Sequence, residues 1–254
     1  MNNYVIPNLV KACEIMKVLA CSPEGVSAVQ IESSVNVPRT TAFRILKTLC
    51  SEEIAIKRGS LFYAGSGLVQ IGLNSLKSVK IRSAAVPFLR ELAIRTNLTS
   101  HLAVPSGFQS LILEVHDSPS PLRVASRSGT TVALNCSSTG KIFLAYLYQN
   151  MLEEYFEKTV LEKLTQNTIV TLDEMNVEIE RIKRDGYAAD RKEFHEDVCC
   201  LAAPVRNEKG DVIAAIGVTG AALSFMDARE KQIAEAVMLT ANELSNVMGF
   251  NASY

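Results

Sequence analysis

A chain of 254 residues, 48% hydrophobic and 21% charged, has the mix of a soluble globular protein and the length of two domains. It holds no apolar run of the roughly 18–20 residues that a membrane helix needs, and its start lacks the basic segment and apolar core of a secretory signal. The net charge of −1 is no signature of a nucleic-acid binder for the whole chain, yet residues 1–72 hold 7 Lys/Arg against 5 Asp/Glu, so the excess of acid lies in the remainder.

In chain order, residues 7–20 place Leu9, Ala12, Cys13, Met16 and Leu19 at helical spacing, and Ser22-Pro23-Glu24-Gly25 ends the run. Ser27 is positioned to cap a short helix through Val35, with Gln30 at the capping-box position. Pro38 suits the first turn of a third helix that runs to about Glu52. Its apolar face is Ala42, Ile45, Leu46 and Leu49, and its other face carries Thr40, Arg44, Lys47 and Ser51, with Phe43 and Thr48 beside it. Residues 54–56 and 61–63 then flank Lys57-Arg58-Gly59-Ser60, which reads as a hairpin around a basic turn.

Helix, short helix, tight turn, longer helix and basic hairpin is the order of a winged helix-turn-helix. The third helix needs one apolar face to dock and one polar, basic face to enter a major groove, and the hairpin needs cations to meet phosphates. Arg39, Thr40, Thr41, Phe43, Arg44, Lys47, Lys57 and Arg58 are therefore the expected DNA-binding residues.

Gly65-Ser66-Gly67 reads as a flexible joint. Residues 68–97 are helical again, punctuated near Ile81 and at Pro87, and residues 98–104, 110–115 and 122–126 read as a meander of strands. Residues 139–149 form an apolar helix, and 173–185 an amphipathic helix ending at Gly186. Strands at 200–206 and 212–219 follow, joined by Asn207-Glu208-Lys209-Gly210, and a helix over 227–248 is the last element. The pattern predicts an α+β fold with an antiparallel sheet flanked by helices.

Three stretches carry a resemblance. Arg39 through Leu49 is similar to the recognition helix of the IclR family of bacterial transcription regulators. Gly129 with Asn135-Cys136-Ser137-Ser138-Thr139-Gly140-Lys141 resembles its glycine-lysine segment. Asp185-Gly186-Tyr187-Ala188-Ala189-Asp190, Glu193 and the run from Cys200 to Val205 resemble its most distinctive stretch. The resemblance spans nearly the whole chain and implies a winged helix-turn-helix at residues 1–65, a linker helix at 66–80 and a GAF-like effector-binding domain at 81–254. It implies a homodimer or dimer of dimers (a homotetramer) on double-stranded operator DNA, and a small carboxylate as effector. Carried over by position, the effector pocket is Ser138, Thr139, Asp190, Cys200, Gly217 and Thr219, with Gly140 in the same helix start. Gly217 and Thr219 stand where serines are found in members that bind two- and three-carbon acids. Gly217 thus suggests a roomier pocket and a larger acid, such as a sugar acid or an aromatic acid.

Other readings compete. Ser137-Ser138-Thr139-Gly140 could be an ordinary helix cap, or its backbone N–H groups could hold a carboxylate. Lys141 could equally be a ligand or an ion-pair partner. Asp190, Glu193, His195, Glu196, Asp197, Cys199 and Cys200 lie close in sequence, but no pair has the spacing of a known metal site, and no metal or other cofactor is expected. A Cys200–His195 pair would suggest a thiol hydrolase, whereas the chain as a whole reads as a regulator and not an enzyme. A DNA-binding protein with a vestigial sensor is the remaining alternative. His101 and His116 read as structural histidines, and six cysteines with no CxxC pair suit reduced thiols in a cytoplasm.

Overall fold

The structure, a computed structural model, describes residues 4–121, 123–226 and 228–250. The chain divides into two compact units, Met1–Val79 and Lys80–Tyr254.

In the first unit α1 spans Pro7–Ala20, α2 Ala28–Val35 and α3 Arg39–Ser51. Proline begins α1, where the missing N–H costs nothing. The expected capping box forms: the Ser27 hydroxyl accepts from the Gln30 N–H at 3.3 Å, and the Gln30 side chain accepts from the Ser27 N–H at 2.9 Å. α2 ends at Asn36 in the left-handed region, and Pro38 caps α3 from just outside it instead of lying in its first turn. Ile15, Leu19, Ile31, Val35, Ala42, Leu46, Leu49, Ala55 and Phe62 share one core, with Ile45 half-buried at its edge. Strands β1 (Val26–Ser27), β2 (Ala55–Arg58) and β3 (Leu61–Ala64) form an antiparallel sheet in the order β1-β3-β2.

Two local expectations are corrected here. Lys57 and Arg58 belong to β2 and not to the turn, which is the two residues Gly59-Ser60 between paired Arg58 and Leu61. Gly59 supplies the positive φ that so tight a hairpin needs. Gly65-Ser66-Gly67 is a packed corner and not a free joint. Gly65 caps α4 (Ser66–Ser78); its N–H donates to Ile54 O at 2.8 Å and the Gly67 N–H to Glu53 O at 3.0 Å. A Cβ on Gly65 would overlap the Glu53 carbonyl, so glycine is there for close approach.

The second unit opens with α5 (Lys80–Thr96), which runs through Pro87. That proline is exposed, so water can satisfy the carbonyl it leaves without an N–H partner. β4 (Thr99–Ser106), β5 (Gln109–His116), β6 (Thr131–Ala133), β7 (Ala188–Arg191), β8 (Val198–Arg206) and β9 (Val212–Ala221) form one antiparallel sheet in the order β6-β5-β4-β9-β8-β7. α5 packs with α9 (Ala228–Val247) against β4 and β8. Separately, α6 (Ser138–Tyr146), α7 (Leu152–Lys158) and α8 (Leu172–Asp185) gather over Ala103, Ile112, Ala188, Ala202 and Ala215. Small residues on the strands let α6 lie close to the sheet.

Residues 123–126 form no strand, and Leu122 and Asp227, with which two expected elements began, lie outside the described residues. Val124 O instead accepts from the Thr99 hydroxyl at 3.1 Å, and the third strand of the meander is β6.

Candidate functional site

α3 is divided as its pattern foretold. Ala42, Leu46 and Leu49 are buried, while Arg39, Thr40, Phe43, Arg44 and Lys47 are exposed and Thr41 is half-buried. Phe43, at 59% exposure, is an unusual amount of aromatic surface to leave in water unless something covers it. A groove of about 660 Å³ between α2, α3 and the hairpin has Arg39, Thr40, Phe43, Arg44 and Lys57 in its walls. Lys57 stands 5.5 Å over the Phe62 ring and Arg58 5.4 Å over Tyr63, so both stems are held while their charges face water. Among the described residues, the only acidic neighbour in that groove is Glu32, 3.8 Å from Arg39. Such a face suits the phosphates and base edges of a duplex.

The second unit holds a cavity of about 330 Å³ between the start of α6, the sheet and residues 124–132. Ser138, Thr139, Asp190, Cys200 and Thr219, scattered over eighty positions of sequence, meet in its wall. Asp190, Cys200 and Thr219 lie side by side on β7, β8 and β9 because those strands pair in that register. Gly140 and Gly217 are not in the wall. A Cβ on Gly140 would overlap the Leu134 backbone, and one on Gly217 would overlap the Leu201 carbonyl. Both glycines are packing requirements, so the expectation that Gly217 enlarges the pocket is corrected.

At the helix start Ser137 is the N-cap; its hydroxyl accepts from the Gly140 N–H at 3.2 Å and donates to Ala133 O at 2.6 Å. The N–H groups of Ser138 and Thr139 come first in α6 and have no helical acceptor. The Thr139 hydroxyl bonds Ser110 at 2.8 Å.

Asp190 is 1% exposed. Its Oδ1 accepts from the N–H groups of Glu193 at 2.7 Å and Phe194 at 3.3 Å, while its buried Oδ2 has no partner. Burial, helped by the charge of Glu193, pushes its carboxyl up to about 6. Cys200 lies 3.2 Å from the Thr219 hydroxyl, and burial pushes its thiol well above the ordinary value. A thiol so raised is a poor nucleophile. His195, its supposed base, is exposed, accepts from the Asp197 N–H at 3.2 Å and is not in the cavity wall. No activated pair exists there.

Lys141 faces away from the cavity and is fully buried. Its ammonium sits 2.6 and 2.8 Å from the Glu193 carboxylate and 3.0 Å from Glu178, and donates to Ala189 O. It is an ion-pair partner that pins α6 to α8 and β7. The sequence also gave no sign that His101, Phe194, Val198 and Arg127 would line the cavity. His101 stands three residues into β4, Val198 opens β8, and Phe194 and Arg127 lie in loops, so no periodic pattern marks them.

The family descriptions "IclR helix-turn-helix domain" and "Bacterial transcriptional regulator IclR C-terminal" match residues 8–55 and 73–246. The transcriptional regulator RhmR of Escherichia coli K12 is 29% identical over 98% of this chain and 96% of its own. The transcriptional repressor AllR of the same organism is 25% identical over 96% of this chain and 91% of its own. Among solved structures, IclR of Thermotoga maritima is 26% identical, covers 95% of this chain and 98% of its own, and superposes with a TM-score of 0.72. These relatives are regulators and not enzymes, and the chain belongs to the IclR family of DNA-binding transcription regulators with a C-terminal effector-binding domain.

Proposed function

We propose that the chain is a cytoplasmic regulator that binds double-stranded operator DNA as a homodimer or dimer of dimers and responds to a small organic acid held in the cavity of the second unit. Residues 1–65 bind DNA, 66–80 form the linker helix and 81–254 bind the effector. The observation that carries the effector reading is one cavity whose wall brings together Ser138 and Thr139, at the start of α6, with Cys200, Thr219 and Asp190, whose buried Oδ2 is unpaired. A native protein seldom leaves a buried polar atom unpaired without a use for it.

The effector's carboxylate takes the Ser138 and Thr139 N–H groups, where the helix end favours an anion. Asp190 is compatible with that anion because its raised pKa lets it either donate when protonated or accept from a ligand hydroxyl. Cys200 and Thr219 complete the polar wall. A cavity of about 330 Å³ has the volume for an acid larger than three carbons.

Calorimetry with a panel of sugar acids and aromatic acids tests the site. Binding by the wild type that survives joint replacement of Asp190 and Cys200 by alanine refutes it. Operator binding rests on Arg39, Thr40, Thr41, Phe43, Arg44, Lys47, Lys57 and Arg58. Gel-shift affinity left intact by Arg44→Ala with Lys47→Ala would show the wrong face was chosen. A monomeric mass by light scattering at micromolar concentration refutes the dimer.

A further inference from the structure

We propose that His101 is a specificity-determining residue of the cavity: its Nε2 hydrogen-bonds an oxygen on the effector's carbon chain, so the effector class is hydroxylated organic acids. This rests on the effector reading above. His101 lies on β4, pairs with Val115 and Gly217, and lines the cavity at 5% exposure. Its Nδ1 is sealed without a partner, and the ring makes no hydrogen bond among the described residues. What access the ring retains is therefore left to Nε2 and to the ring edge that borders the cavity.

Two buried side chains of the same wall, His101 and Asp190, thus each hold a polar atom that the protein leaves unsatisfied. Both of those atoms are sealed, so a ligand in the cavity meets His101 at Nε2, the ring nitrogen that retains access. Burial pushes the His101 imidazole down to about 4, so at neutral pH the ring is uncharged. A sealed N–H without an acceptor is the costlier tautomer, which places the proton on Nε2 as a donor.

The carboxylate end is a different place. Thr139 is bonded to Ser110, and Ser110 pairs with Pro105, at another level of β4 from His101. A ligand that meets the α6 start and His101 together needs oxygen on its chain as well as on its carboxyl group. An unsubstituted fatty acid of equal length leaves Nε2 of His101 unpaired, and sites built to bond a hydroxyl reject analogues that lack it.

Matched pairs test this by calorimetry on the full chain: gluconate against hexanoate, threonate against butyrate, and 4-hydroxybenzoate against benzoate. The wild type should prefer the hydroxylated member of at least one pair. His101→Phe, which keeps ring volume and removes both nitrogens, should cut that preference about tenfold. His101→Gln, which returns an amide donor near the place of Nε2, should retain most of it. Affinity for the unsubstituted acid should change little in either variant. An undiminished preference in His101→Phe overturns the inference and leaves the effector reading standing. A wild type that binds no acid of either kind overturns both.

Discussion

Replacing Lys141 with methionine removes the one buried ammonium that faces Glu193 while keeping most of the side chain's volume. Glu178 is left with Arg181, whose guanidinium bonds it at 2.8 and 2.6 Å. Glu193 is left with little: the Arg191 N–H at 3.2 Å, in a position only 6% exposed. Removing one partner of a buried pair costs about 3–5 kcal/mol, because the survivor's desolvation is no longer offset. A domain of this size loses roughly 2–4 °C per kcal/mol, so the melting temperature should fall by roughly 6–20 °C. Denaturant unfolding followed by circular dichroism measures the same loss. Adding Glu193→Gln removes the stranded charge and should restore part of the stability, a coupling that a merely bulky methionine would not produce. A loss below about 1 kcal/mol, or additive single effects, would refute the assignment of this network as a charged staple. Effector affinity should fall as well, because the Glu193 N–H holds Asp190 in place.

Asp190, with a folded pKa of about 6 against an ordinary 3.8, contributes stability that is complete below about pH 3.8 and is lost as pH rises through 6. Between pH 7.5 and 5 the wild type should therefore gain stability relative to Asp190→Asn, by melting temperature; His101, whose pKa is lowered, acts in the opposite sense in both proteins and cancels. Parallel curves would contradict the buried placement. Gly217→Ser should destabilise by about 1–3 kcal/mol without improving the binding of small acids, since its Cβ meets the Leu201 carbonyl and not the cavity; an unchanged melting temperature goes against it. Lys57→Ala with Arg58→Ala should reduce the slope of log affinity for DNA against log salt by about 2, roughly one per phosphate contact. A slope equal to wild type would place the hairpin away from the backbone.

Local chemistry was legible in the sequence wherever a single residue decides it. Ser27 and Gln30 announced the start of α2, and Gly186, with φ +81°, ended α8 where its C-cap was expected. The amphipathic face of α3 needed only its spacing. Short elements fixed by their neighbours were not legible. β7 is four residues with no alternation, and is a strand because β8 lies beside it. α7 is seven residues between loops, stabilised by Tyr155 and Leu152 in the core rather than by propensity. Of the residues the resemblance brought, Ser138, Thr139, Asp190, Cys200 and Thr219 meet in the wall of one cavity, and Gly140 and Gly217 do not. The role of Lys141 stayed open because its partner stands 52 positions away. His101 read as structural for a similar reason: nothing local distinguishes a packed imidazole from one that lines a cavity.

The corner at Gly65 and Gly67 has a mechanical meaning. Their two hydrogen bonds seize the carbonyls of Ile54 and Glu53, the root of the hairpin, so α4 grips the winged unit as a crank grips its shaft. Torque about the α4 axis passes to that root instead of being absorbed by slack chain. α3, β2 and β3 share one close-packed interior through Ala42, Leu46, Ala55 and Phe62, and so turn as a single piece. A roll of α4 therefore carries the hairpin root and, through the shared core, the exposed face of α3 with it.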